Sequence, residues 1–243
     1  NVANRARRGT GKGLVSFATQ DERRRLVFQA FAQLWQLGFR MQSPRSLGER
    51  HIRALVGHWD RGGLAAGTLH NRITHLAAFC GWIGKAGMAK APAEYCGEGR
   101  VARSHVARED KSLEGKGLDP LQLIERARQV GGRLALYLSL QHHLGFRAKE
   151  SMEFRPAVSL SADGSVLEVF EGTKGGKRRT VTLDTEDKRA TVKWALEVAG
   201  GTRSGRVRWP DRTYRQAMNH LYYLVRSKLG LTKAQAGRTM HAL

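Results

Sequence analysis

Between residues 21 and 39, apolar side chains return every three or four positions: Leu26, Val27, Ala30, Phe31, Leu34, Trp35 and Leu37. That spacing predicts an amphipathic helix, broken by Ser43-Pro44. A second helix fits 47–61, closed by Gly62-Gly63. A third fits 68–85, with Thr68 as its N-cap and Leu69, Ile73, Leu76, Phe79, Cys80 and Ile83 on one face. From 91 to 117 the character changes to glycines, Pro92 and many charges with few apolar residues, which reads as an interdomain linker with room for some short helix.

Beyond the linker, Asp119-Pro120 opens a helix that runs to about residue 130. The dense apolar run 134–144 predicts a buried helix ending near Gly145. Three strand-like segments follow, at 157–161, 166–171 and 180–183. The glycine-rich turn between the last two predicts a hairpin. Two further helices fit 186–199 and 211–229. The expected fold is mainly α with a small β-sheet. A helical domain at 16–90 is followed across the 91–117 linker by an α+β domain at 118–243, and no internal repeat is visible. Residues 1–13 carry four basic side chains and no apolar run of the kind a signal peptide needs, so 1–15 reads as a basic N-terminal arm.

Charge changes the picture. The 243 residues hold 42 Lys and Arg against 21 Asp and Glu, a net +21. Up to residue 110 there are 18 basic and 8 acidic side chains; the remainder has 24 and 13. An excess this large in both halves points to a polyanionic partner, most simply double-stranded DNA held between two basic domains. No run of 18 apolar residues is present, so no membrane span is expected. Two cysteines, Cys80 and Cys96, make neither a disulfide scaffold nor a four-cysteine zinc site, and the economical location is the cytoplasm.

Several tempting motifs fail. A phosphate loop needs a glycine five residues before its Gly-Lys pair, but Gly11-Lys12 and Gly176-Lys177 have Ala6 and Glu171 there. His142 and His143 are adjacent and diverge by about 100° on a helix. His51 and His58 lie two turns apart on a helix with no acidic or cysteine neighbour arranged as a third ligand. No metal or cofactor site is expected.

Three places combine better. In Leu144-Gly145-Phe146-Arg147-Ala148-Lys149-Glu150, an arginine just past a buried helix presents a fork suited to two phosphate oxygens. Glu150 lies three residues on, at the spacing that can orient it. In Lys174-Gly175-Gly176-Lys177-Arg178-Arg179, a glycine-bearing hairpin tip with four cations can approach a phosphate backbone, and Lys174 could give up a proton there. The third place is His241-Ala242-Leu243.

In this order the three resemble the catalytic boxes of the tyrosine recombinase (phage integrase) family. The first fits the family's T/L-G-hydrophobic-R-x-x-E, the second its K-G-x-K-x-R hairpin, and the third the opening of H-x-L-R-H. The segment from Gly67 to Trp82, with Phe79 and Trp82 before a glycine, resembles a helix of the family's SAM-like core-binding domain. The resemblance implies that the catalytic residues are Arg147, Lys174 and His241, with Glu150 holding Arg147. Lys177, Arg178, Arg179, Arg72 and Lys85 are then the expected DNA contacts, and no cofactor is needed. It further implies DNA breakage and rejoining through a 3′-phosphotyrosyl intermediate, in the service of a mobile genetic element.

The family's second arginine and its tyrosine nucleophile would lie beyond Leu243. The expectation is therefore a catalytic domain lacking its C-terminal end and inactive in cleavage. Because the family's C-terminal tail joins protomers, a monomer without DNA is also expected, with higher assembly on DNA for the intact protein. Tyr222 and Tyr223 fall within a helical pattern with one apolar face; core packing is the better reading for at least one, and neither reads as the nucleophile. Two rivals share the charge: a non-catalytic DNA-binding regulator, and an RNA-binding protein. The low aromatic content, 7%, weighs against the latter.

Overall fold

A computed structural model describes residues 15–102, 110, 112–173 and 176–231. The chain divides into two compact units, one spanning Asn1–Ala107 and the other Arg108–Leu243.

The first unit is helical. Helix α1 (Phe17–Gln36) starts a turn before the expected position because the Ser16 side chain accepts the Thr19 amide at 3.2 Å. Periodicity misses this turn because Phe17 is exposed and belongs to no core stripe. Helix α2 (Glu49–Arg61) and helix α3 (Ala66–Trp82) follow. Thr68 lies inside α3 rather than capping it; the N-cap is Ala65, with no side-chain hydrogen bond. Leu26, Leu34, Ile52, Leu55, Trp59, Leu69, Leu76 and Cys80 from these three helices form one core.

Part of the expected linker belongs to this unit. Helices α4 (Ala93–Cys96) and α5 (Glu98–Val101) are folded, and Val101 is buried in the same core. Arg100 pairs with Asp60 at 2.6 Å and donates to the Leu64 carbonyl at 2.8 Å. The segment is poor in apolar residues, so its attachment by polar groups is invisible to a hydrophobic pattern. On the other side, Leu113 is fully buried in the core of the second unit.

In the second unit, helix α6 (Pro120–Val130) begins as expected, with the Asp119 carboxylate accepting the Leu121 and Gln122 amides. Helix α7 (Gly132–Leu144) is the centre of the core. Leu134, Leu136, Tyr137, Leu138 and Leu140 are all within 1% of full burial, and α7 packs against both α6 and α10 (Glu186–Val198). Between them lie two short helices, α8 (Ala148–Glu153) and α9 (Pro156–Ser159). The latter corrects an expected strand at 157–161. Pro156 is already in helical φ and has no N–H for a ladder, so only Leu160 reaches the sheet, as a bridge to Leu167. Strands β1 (Val166–Val169) and β2 (Arg179–Thr182) pair antiparallel as the hairpin pattern predicts, Val166 facing Thr182 and Val169 facing Arg179. Helix α11 (Tyr214–Tyr223) is capped by Thr213 and Gln216 and passes into a π turn, Leu224–Lys228.

Candidate functional site

The site begins where α7 stops. Gly145 closes the helix in the left-handed conformation, φ 61°, and Phe146 returns its amide to the Leu140 carbonyl at 3.3 Å. Phe146 is buried edge-on against Phe154, with ring centroids 5.1 Å apart. With its neighbour anchored, Arg147 sits in extended backbone at the mouth of α8, and its side chain is 52% exposed.

Glu150 is one turn into α8, and its side chain is completely buried. Its two oxygens are divided among three donors. Oε1 takes Arg147 Nη1 at 2.7 Å; Oε2 takes the Arg147 amide at 2.9 Å and Arg179 Nη2 at 2.8 Å. Burial pushes the carboxyl up, but these donors outweigh it and hold Glu150 below the usual carboxylate range. Arg179 Nη2 also reaches the Gly145 carbonyl at 2.9 Å, tying β2 to the α7–α8 turn.

Arg147, Lys177, Arg178 and Arg179 line an open cleft of about 510 Å³, with no acidic residue among the lining. Lys177 is exposed, and Arg178 pairs across the hairpin with Glu168 at 2.8 Å, both well exposed. A partly desolvated concavity of cations around a half-free guanidinium can receive a phosphate diester, because oxygens with delocalised charge match the fork. Two other clefts of about 480 and 490 Å³ lack this convergence of positive charge, and the second is lined chiefly by apolar and aromatic side chains.

Of the residues expected from the sequence, the structure gathers Arg147, Glu150, Lys177, Arg178 and Arg179. Lys174 and His241 lie outside the described residues. Arg72 and Lys85 belong to the first unit. Arg72 lies over the Trp59 ring at 5.0 Å, and Lys85 Nζ donates to the carbonyls of Arg45 and Leu47, both at 2.8 Å. Lys85 thus closes the turn before α2 with its ammonium.

Two features have no sequence signal. Glu153, on α8, accepts Arg206 and Arg208 from a loop more than fifty residues away, and Glu171 pairs with Arg155 at 3.0 Å. Gly172, at φ 73°, lies against the α8 backbone: a Cβ there would stand 2.7 Å from the Lys149 carbonyl oxygen. Arg206, which also lies 3.6 Å from Glu171, and the seat of Gly172 on Lys149 link the base of the hairpin to the helix that carries Glu150. Among the described residues no group of three or more His, Cys, Asp or Glu could hold a metal ion, and no helix is long and apolar enough to cross a membrane.

Residues 3–89 match the family model described as phage integrase, N-terminal, and residues 109–243 match the model described as integrase. No curated protein matches the sequence. Among solved structures, the chain is similar to a lambda integrase fragment (75–356) that forms a dimer bound to a COC′ core site. Identity is 16% and the TM-score 0.59, over 90% of this chain and 74% of that one. It is similar also to lambda integrase as a tetramer bound to a Holliday junction, at 16% identity and TM-score 0.58, over 91% of this chain and 60% of that one.

Proposed function

Because the chain belongs to the tyrosine recombinase (phage integrase) family, we propose that it binds duplex DNA and supplies the phosphate-gripping part of a site-specific strand exchange. In that reaction a tyrosine attacks a backbone phosphate, forming a 3′-phosphotyrosyl link and freeing a 5′-hydroxyl; a second strand's hydroxyl then reverses the step. Negative charge grows on the nonbridging oxygens, and a positioned guanidinium answers it. Arg147 takes this role. The observation that carries the reading is its half-exposed fork, pinned by one nitrogen to a wholly buried Glu150 in an all-cationic cleft. Lys174 protonates the 5′-oxygen as it leaves, and His241 hydrogen-bonds a nonbridging oxygen or moves the nucleophile's proton. Glu150 fixes Arg147. Lys177 and Arg178 contact flanking phosphates, and Arg72 extends the contacts in the first unit. The chemistry uses neither metal nor cofactor. Service to a mobile genetic element and a cytoplasmic location belong to the same reading.

None of the chain's five tyrosines is the nucleophile in this scheme. Tyr137 is buried, its hydroxyl donates to the Val207 carbonyl at 3.2 Å, and burial pushes the phenol up. Burial also pushes up Tyr214, as it does Tyr95 in the first unit. Tyr222 packs against the core, and Tyr223 stacks on His220 with rings 6.3 Å apart. The 243-residue chain should therefore form no covalent link with a nicked duplex, as denaturing gels would show; a phosphotyrosine at any of the five would overturn the placement of the site. The lambda integrase structures hold a dimer on a core site and a tetramer on a Holliday junction, which supports assembly of the intact protein on DNA. Light scattering of this chain alone should give a monomer.

The test of the reading is competition. Labelled duplex DNA should be displaced by unlabelled duplex at far lower concentration than by RNA of the same length. Equal displacement by RNA would refute it.

A further inference from the structure

We propose that Arg179 does not contact DNA but is the positioning residue that keeps the Arg147 fork open. The inference rests on the proposed role of Arg147 as a phosphate ligand. Its ground is the division of Glu150. An arginine and a carboxylate left to themselves favour a two-pronged pair, two parallel N–H···O bonds that occupy one whole edge of the guanidinium. Here Arg147 gives Glu150 a single side-chain bond, Nη1 to Oε1. The second oxygen is already taken by the Arg147 amide and by Arg179 Nη2. Its lone pairs are filled, so Arg147 has no second prong to make. Nη2 and Nε of Arg147 remain for an external oxyanion, consistent with a side chain half exposed while its carboxylate partner is wholly buried.

Arg179 is suited to blocking rather than to binding. The nitrogen that reaches Glu150 also holds the Gly145 carbonyl, and the guanidinium lies over the Phe146 ring at 5.5 Å. It is thus fastened to both ends of the turn that presents Arg147. Its side chain is only a third exposed, against 69% for its neighbour Arg178. One buried carboxylate shared by two guanidinium groups also leaves the cluster with a net positive charge, which a simple Arg147–Glu150 pair would lack.

Two measurements on the full chain test this. In the first, guanidinium NMR signals, assigned by substitution, are followed as a 30-base-pair duplex is added. The Arg147 signal should shift and the Arg179 signal should stay. An Arg179 shift as large as that of Arg147 would make it a phosphate contact and overturn the proposal. If neither signal shifts although the duplex binds, the phosphate role of Arg147 fails, and the positioning claim is then judged by the second measurement alone.

That measurement is the rate at which phenylglyoxal, an arginine reagent, modifies Arg147, read by peptide mass spectrometry. Arg179→Met keeps the side-chain length and the packing over Phe146 but frees one lone pair on Oε2 of Glu150, which the Arg147 amide still shares. Arg147 should then close onto Glu150, and its modification should slow about fivefold. Arg179→Lys, which retains a donor for Oε2, should stay within about twofold of the parent. Loosening of the fold acts the other way, exposing Arg147 and speeding modification. An unchanged or faster rate in Arg179→Met would therefore contradict the proposal.

Discussion

Glu150 shows how one buried charge organises the site. Its depressed pKa means that the folded protein holds the carboxylate more tightly ionised than the unfolded chain does. Such a group stabilises the fold above its unfolded pKa, and that contribution drains away as pH falls through the folded value. Urea melts should show wild type losing stability below about pH 4, near the ordinary glutamate pKa. Glu150→Gln should have a shallower acid limb and, at pH 7, be less stable by about 1–3 kcal/mol. The loss stays under the 3–5 kcal/mol typical of a stranded buried ion, because the two guanidiniums left behind are partly exposed. Parallel pH curves for the two proteins would mean that Glu150 carries no such linkage. The Arg147–Glu150 pair was legible in the sequence because three residues in a helical turn bring side chains together. The Arg179–Glu150 bond joins residues 29 apart and has no periodic trace. Arg179 therefore read as one more cation of a basic turn.

Among the secondary-structure elements, those that bury a continuous stripe or sit between strong punctuation were legible: α2, α6, α7, α10 and the β1–β2 hairpin. The misreadings share a cause, which is that features other than a regular apolar stripe set the structure. Ser16 extends α1, Pro156 turns a strand-like segment helical, and Arg100 with Asp60 folds part of an expected linker onto the first unit. The hairpin's attachment is the same kind of feature. Gly172→Ala would force a Cβ into the Lys149 carbonyl in a left-handed backbone, whereas Gly145→Ala, also left-handed, meets open space. Gly145→Ala should cost about 1 kcal/mol for the backbone alone. Gly172→Ala should cost about 2–4 kcal/mol, since overpacking is added. Thermal or urea denaturation of the two variants compares them directly; equal losses would mean the hairpin is not seated on α8.

Across the entire chain the dominant physical fact is charge, +21 divided almost equally between the two units. If both units bind DNA, residues 1–107 and 108–243 made separately should each bind a duplex much more weakly than the joined chain, because the link gives the second unit a high effective concentration. Affinity of one part equal to that of the whole would assign binding to that part alone. The most direct test is the salt dependence of duplex binding by wild type and Arg147→Ala, measured by fluorescence anisotropy. With about six phosphates neutralised, log K should fall against log salt with a slope of roughly −5. Removing Arg147 should make the slope shallower by about one while lowering affinity only modestly. A slope near zero for wild type, or the same slope in both proteins, would contradict a phosphate held at Arg147.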